Sequence, residues 1–235
     1  EFSSTSPLRR DAVSDLRRVA LMIRAVLFDL DDTLMDHASA MHAAVEDWLP
    51  GGHQQRFAEC EKKWFAAYER GEVSHQGQRI GRCREFLGRP DMSEQEALAE
   101  YDTYLAAYER HWRAFDDALP ALHYVLAQGF QVGILTNGAR EMQLGKLQAG
   151  ALDLPEVKLF PTVEMGHPKP HPQSYLEACR RLGAEPDSTL MVGDSLANDV
   201  EGARAAGLKA LHLDRSGGGD ISSLAELEAL DFAAL

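Results

Sequence analysis

Cysteine is scarce: 235 residues hold three, Cys60, Cys83 and Cys179. An odd number cannot pair completely, and these spacings match no zinc pattern. That excludes a disulfide scaffold and leads us to expect reduced thiols in a cytoplasmic protein. Long apolar runs are also missing, so no membrane partner is expected. Positive charge is short as well: 24 Lys and Arg stand against 37 Asp and Glu, a net charge of −13 with no long basic stretch. Nucleic-acid polymers and anionic membranes need cationic surface, so both are excluded as general partners. A small anionic substrate is not excluded, since a few local cations and a metal suffice to hold one. The first 21 residues lack the apolar core of a secretory signal. We expect residues 1–21 to be an added or upstream extension outside the fold, with Met22 at or near the natural start. A short added amphipathic helix is the alternative.

What is present alternates. Compact apolar runs at 25–28, 131–135, 189–192 and 208–213, with a weaker one at 157–160, suit strands buried on both faces. Helical patterns lie between them. Residues 117–128 stop at Gly129, 140–148 precede Gly150, 172–182 open on Pro172 and stop at Gly183, and 199–206 stop at Gly207. Alternation of this kind implies a parallel sheet with right-handed crossovers. Residues 37–115 break it, showing helical spacing of apolar residues (Trp64 and Tyr68; Tyr101, Leu105, Tyr108 and Trp112) and no strand. They read as a helical insertion whose aromatics form a core. A core over 22–36 and 116–235 with a cap over 37–115 is therefore expected. A short C-terminal helix is expected from Ser222 or Ser223.

In an open parallel sheet, ligands bind beyond the carboxyl ends of the strands. There the sequence places Asp29, Thr136-Asn137-Gly138 and Gly193-Asp194-Ser195, with Lys169 in a Pro-flanked segment after the weak strand. FDLDDT at 28–33, LTNG at 135–138, HPKP at 167–170 and GDSLANDVEGARAAG at 193–207 stand in the order of the four motifs of the haloacid dehalogenase superfamily. From Met22 onward the chain resembles that superfamily, in the subgroup with a helical cap. The resemblance implies an α/β fold, a Rossmann-like three-layer core with an inserted cap, and hydrolysis of phosphate esters.

The residue chemistry agrees with that implication. A carboxylate held in line with phosphorus forms an acyl phosphate, the role expected of Asp29. Asp31 is expected to act as general acid and base, its pKa raised by neighbouring carboxylates. The competing reading is that Asp29, Asp31 and Asp32 merely cap a turn. Four converging carboxylates are costly without a cation, and an oxygen-only set suits Mg²⁺. By resemblance, the Asp29 carboxylate, the Asp31 carbonyl and the Asp194 carboxylate are ligands. Asp199 acts from behind them or through water, or caps the following helix. Thr136, the Asn137 and Gly138 amides and Lys169 are expected to bind the phosphoryl oxygens. Pro168 and Pro170 stiffen the chain around Lys169. The 202–207 run of small residues is read as close packing on the sheet.

Specificity is assigned to the cap. Its candidates are the polar stretch 74–79 and Arg79, Arg82 or Arg84 as contacts to a second anionic or sugar group, against the reading of a solvated helix face. The DDT and TNG motifs are similar to the branch containing pyrimidine nucleotidases and acylneuraminate phosphatases. That suggests a nucleoside monophosphate or a sugar phosphate as the small phosphorylated metabolite, acted on by a monomer or homodimer. A phosphomutase, a haloacid dehalogenase of the same fold and a non-enzymatic phospho-acceptor domain are the alternatives. Asp31 weighs against the dehalogenase. The insertion weighs against the acceptor domain.

Overall fold

The computed structural model describes residues 22–235; the reading of residues 1–21 lies outside them. β1 (Ala25–Phe28), β2 (Gln131–Thr136), β3 (Val157–Pro161), β4 (Thr189–Gly193) and β5 (Lys209–His212) form one parallel sheet in the order β3-β2-β1-β4-β5. β1 lies at the centre, with Phe28 in register with Ile134 and Val192. All four β1 residues are buried because both faces are covered. Val26 and Phe28 pack on one side with Leu122 and Val125 of α5 (Ala118–Ala127) and with Leu224 and Leu227. Ala25 and Leu27 pack on the other with Tyr175, Ala178 and Cys179 of α8 (Pro172–Leu182). These are the three layers expected. The three cysteines are free and buried. Among the described residues no helix is long and apolar enough to cross a membrane.

Helix limits follow local chemistry. α8 opens on a proline and stops where Gly183 turns left-handed at φ 77°. α6 (Arg140–Ala149) follows β2, and the single turn α7 (Thr162–Met165) follows β3. After β4 the expected helix is instead a π-helical turn, Leu196–Glu201, running into α9 (Gly202–Ala205). Ser195 caps it, taking the Asn198 N–H, so Asp199 is no cap. Gly202 sits under Tyr175 and Pro170, where a methyl group would come within 2.4 Å of the tyrosine hydroxyl. Its small size thus admits a neighbouring helix and loop rather than the sheet. The C-terminal helix is a 3-10 segment, Leu224–Ala229, capped by Ser223.

Between β1 and β2 lie α1 (His37–Trp48), α2 (Gln54–Glu69), α3 (His75–Leu87) and α4 (Glu94–Glu109). They enclose their own apolar core, with Phe57, Phe86 and Tyr104 at its centre. α3 approaches α2 closely because Gly81 leaves room for the Trp64 ring. The two chain crossings into this unit are tied together. Met35 bridges Ala114, Asp36 N–H donates to Arg113 O at 3.0 Å, and Phe115 N–H donates to Leu34 O at 3.0 Å. Arg215 fastens both crossings to the core: it donates to Thr33 O at 2.9 Å, forks onto Asp117 at 3.0 Å and lies 3.7 Å over the Phe115 ring.

Candidate active site

β1 runs directly into Asp29, whose N–H donates to Val192 O and keeps it in line with the central strand. β4 ends beside it, so carboxylate oxygens of Asp29, Asp194 and Asp199 come within 4.8 Å of one another. Gly193 makes that convergence possible, because a methyl group there would sit 2.3 Å from Asp199 Oδ2. Lys169 reaches in from the loop before α8. Its Nζ donates to Asp29 Oδ1 at 2.5 Å and to Asp199 Oδ1 at 2.6 Å. With 3% of its side chain exposed, it is a buried cation held between two anions. Burial pulls its pKa down, but Asp199 and Asp29 outweigh that and raise it.

One cation does not balance three carboxylates. Burial pushes Asp29 well above the usual carboxylate range, and Asp199 and Asp194 push the same way, against Lys169. Burial, with repulsion from Asp199 and Asp32, raises Asp194 to about 7. The donors are all oxygen, the set that suits a hard divalent cation such as Mg²⁺. Thr33 steadies Asp194, accepting its N–H at 3.1 Å and donating to its Oδ1 at 3.3 Å.

Asp31 departs from expectation. Its carboxylate stands outside the Asp29–Asp194–Asp199 cluster while lining the same cavity, taking Lys146 Nζ at 2.6 Å and Gln143 Nε2 at 3.1 Å. Burial raises its pKa, but Lys146, His37 and the hydrogen bonds outweigh that, and the net shift is downward. The acidic neighbourhood expected to raise it is replaced by a cationic one. Of the three acids in the motif, only Asp32 serves as a cap, accepting Ala38 N–H at 2.8 Å from a left-handed backbone at φ 59°.

The Thr136 hydroxyl accepts from Gln143 Nε2 at 2.6 Å, which leaves its own hydrogen to give. The Asn137 side chain is committed to structure. It accepts Lys169 N–H at 2.7 Å and Thr162 Oγ1 at 2.9 Å, and donates to Lys169 O at 2.9 Å and Glu69 Oε1 at 3.1 Å. It therefore pins the Lys169 loop. Glu69, at the end of α2, also takes Asn198 Nδ2 at 2.6 Å and so links the helical unit to two core loops.

All of this opens into a cavity of about 540 Å³ between the sheet ends and the helical unit, lined also by Gly138, His75, Arg79, Arg82 and Tyr108. Arg79 is half-buried, 5.9 Å from the Tyr101 ring centre. Arg82 is buried, held by Glu61, Gln78 and Tyr101, so the solvated-face reading fails for it. Arg84 binds Met92 O and does not line the cavity. The aromatics Tyr101, Tyr104 and Tyr108 serve both as core and as cavity wall. His37 joins the wall through Tyr108 and Glu61. Lys146, Gln143, Glu69, His37 and Glu61 escaped the sequence reading, which named Arg82 but not its partners. For Gln143 and Lys146 a signal existed: both occupy the buried face of α6 with Leu147, where an apolar residue is the norm.

Residues 23–207 match the family described as haloacid dehalogenase-like hydrolase. The chain belongs to that family. Its curated relatives include the glyceraldehyde 3-phosphate phosphatase of Methanopyrus kandleri, 29% identical over 83% of this chain and 85% of the relative. The ribulose-1,5-bisphosphate 5-phosphatase of Halopiger xanaduensis is 30% identical over 89% and 92%. Among solved structures, the magnesium-bound YfnB of Bacillus subtilis, described as a HAD-hydrolase, superposes with a TM-score of 0.78 at 23% identity, covering 88% of this chain and 98% of the other. That likeness concerns the fold. As a haloacid dehalogenase-like hydrolase with phosphatases as relatives, the chain is a phosphohydrolase.

Proposed function

We propose that this hydrolase is a Mg²⁺-dependent phosphatase that cleaves a small phosphate monoester through an aspartyl phosphate on Asp29. The observation that carries the reading is the meeting of Asp29, Lys169, Asp194 and Asp199 at the end of the central strand, under a cavity of substrate size. Asp29, the Asp31 carbonyl and Asp194 would hold the cation, with Asp199 behind them or acting through water. When bound, Mg²⁺ neutralises charge on the phosphoryl oxygens. Residues 37–115 act as the cap and residues 22–36 with 116–235 as the catalytic core.

An Asp29 oxygen attacks phosphorus and the bond to the leaving oxygen breaks. Lys169, the Thr136 hydroxyl and the Asn137 and Gly138 amides meet the charge on the transferring group. Asp31 delivers a proton to the leaving alkoxide. Lys146 favours its ionised form, and the bound dianion opposes Lys146 and draws a proton onto it. Asp31 then removes a proton from water. The water oxygen attacks phosphorus, the bond to Asp29 breaks, and inorganic phosphate leaves. A sugar phosphate or nucleoside monophosphate is the proposed substrate class, the former in keeping with the names of the relatives.

Release of phosphate from p-nitrophenyl phosphate tests the reading. It should stop with EDTA, return with Mg²⁺, and fall by more than ~10³-fold in Asp29→Asn. Activity that survives EDTA, or a long-lived phosphoprotein without turnover, would overturn it.

A further inference from the structure

The wall contributed by the helical unit carries more positive charge than its surroundings require. Around the cavity, Lys169 is spent on Asp29 and Asp199, Lys146 on Asp31, and Arg82 on Glu61. Arg79 and Lys62 also line it, and among the described residues neither makes an ion pair. This happens in a chain with 13 more acidic than basic residues, where an acidic partner is easily found. The acids on that wall are occupied: Glu61 takes Arg82 and His37, and Glu69 takes two side-chain amides. Glu61 overrides the effect of burial on His37 and raises it to about 9, so this group adds a further positive charge. The effect is felt at His75, which burial, then Arg79 and Arg82, depress to about 4.

We infer that Arg79, with Lys62, forms a second anion subsite on the helical wall, so that the ester carries a carboxylate or second phosphate on its leaving group. Three observations favour Arg79 as its centre. It is half-buried, its guanidinium lies over Tyr101, and it has no competing carboxylate. A planar guanidinium grips carboxylate or phosphate with two parallel bonds, which selects an anion over a hydroxyl. Phe65, Leu105 and Met142 also line the cavity and offer apolar surface to a short carbon chain. The inference rests on the phosphatase reading for its catalytic consequence, but not for binding.

A matched pair of esters tests it. 3-Phosphoglycerate and glycerol 3-phosphate share a backbone and differ in carboxylate against hydroxymethyl. The enzyme should favour the carboxylate by about 10-fold or more in kcat/KM, mainly through KM. Arg79→Met should collapse that ratio to within about 2-fold, whereas Arg84→Gln, whose side chain lies off the cavity, should keep it. Equal rates on the two esters in the wild type would overturn the inference, as would an Arg79→Met loss that is the same for both. If neither p-nitrophenyl phosphate nor either ester is hydrolysed with Mg²⁺ present, the phosphatase reading fails by itself. Calorimetric binding of the same two esters then decides the subsite, with a carboxylate preference lost in Arg79→Met expected and no preference fatal.

Discussion

Glu61 binds Arg82 at 2.5 Å and His37 at 3.1 Å, with only 18% of its side chain exposed. Burial alone would raise its pKa, but Arg82 and His37 overcome that and bring it from 4.5 to about 2. Such a drop corresponds to about 3 kcal/mol of folding stability. The rise of His37 to about 9 is largely the same attraction seen from the other partner, so the two are not added. The signs fix the window. The depressed carboxyl stabilises above its unfolded pKa, and that contribution is lost as pH falls through about 2. The raised imidazole stabilises fully below 6.5, and its contribution is lost as pH rises through about 9. Glu61→Gln should therefore cost about 3 kcal/mol at pH 6, or a Tm drop of about 6–12 °C for a chain of this size. It also strands the Arg82 charge, which makes that figure a lower bound. Urea unfolding of both proteins from pH 5 to pH 10 reads the difference. The gap should be widest near pH 6 and narrow toward pH 10. A deficit below about 1 kcal/mol at pH 6, or one that does not change with pH, would refute the reasoning.

Other perturbations follow from single contacts. Lys146→Met removes the cation that holds Asp31 down, so the acid limb of the kcat/KM profile should move to higher pH; an unmoved limb would detach Asp31 from it. Gly81→Ala is favoured by intrinsic helix propensity by about 1 kcal/mol, but its methyl would lie 2.4 Å from the Trp64 ring. Overpacking costs about 1–3 kcal/mol, so thermal unfolding should show a net loss, and a gain would mean the ring moves freely.

The fold was legible where burial and punctuation are local. β1 and α8 have the limits expected of them, one because a strand covered on both faces reads as an uninterrupted apolar run, the other because Pro172 and Gly183 mark its ends. In the turn after β4 the sequence left Asp199 either a cap or a member of the site; the cap itself is Ser195, which takes the Asn198 N–H, while Asp199 takes the Ser195 N–H and Lys169. In the same way, convergence of Asp29 with Asp194 and Asp199 could be foreseen from strand-end position, which topology dictates. The surroundings of Asp31 could not. Lys146 lies 115 positions along the chain, and although its place on the buried face of α6 marks it as unusual, nothing local tells which carboxylate it meets. Likewise Glu61, Arg82 and His37 come from three different helices, and nothing along any one of those helices signals that the three meet.

The double crossing into the helical unit has a mechanical consequence. Two backbones stitched to each other at Met35–Ala114, and riveted by one guanidinium at Arg215, behave as a door hinge rather than a tether. Sliding or twisting would shear those bonds, while a swing about the stitched line leaves them whole. A swing of that kind would have to break the contacts of Glu69, which rests on Asn137 and Asn198 like a latch bolt in its keeper.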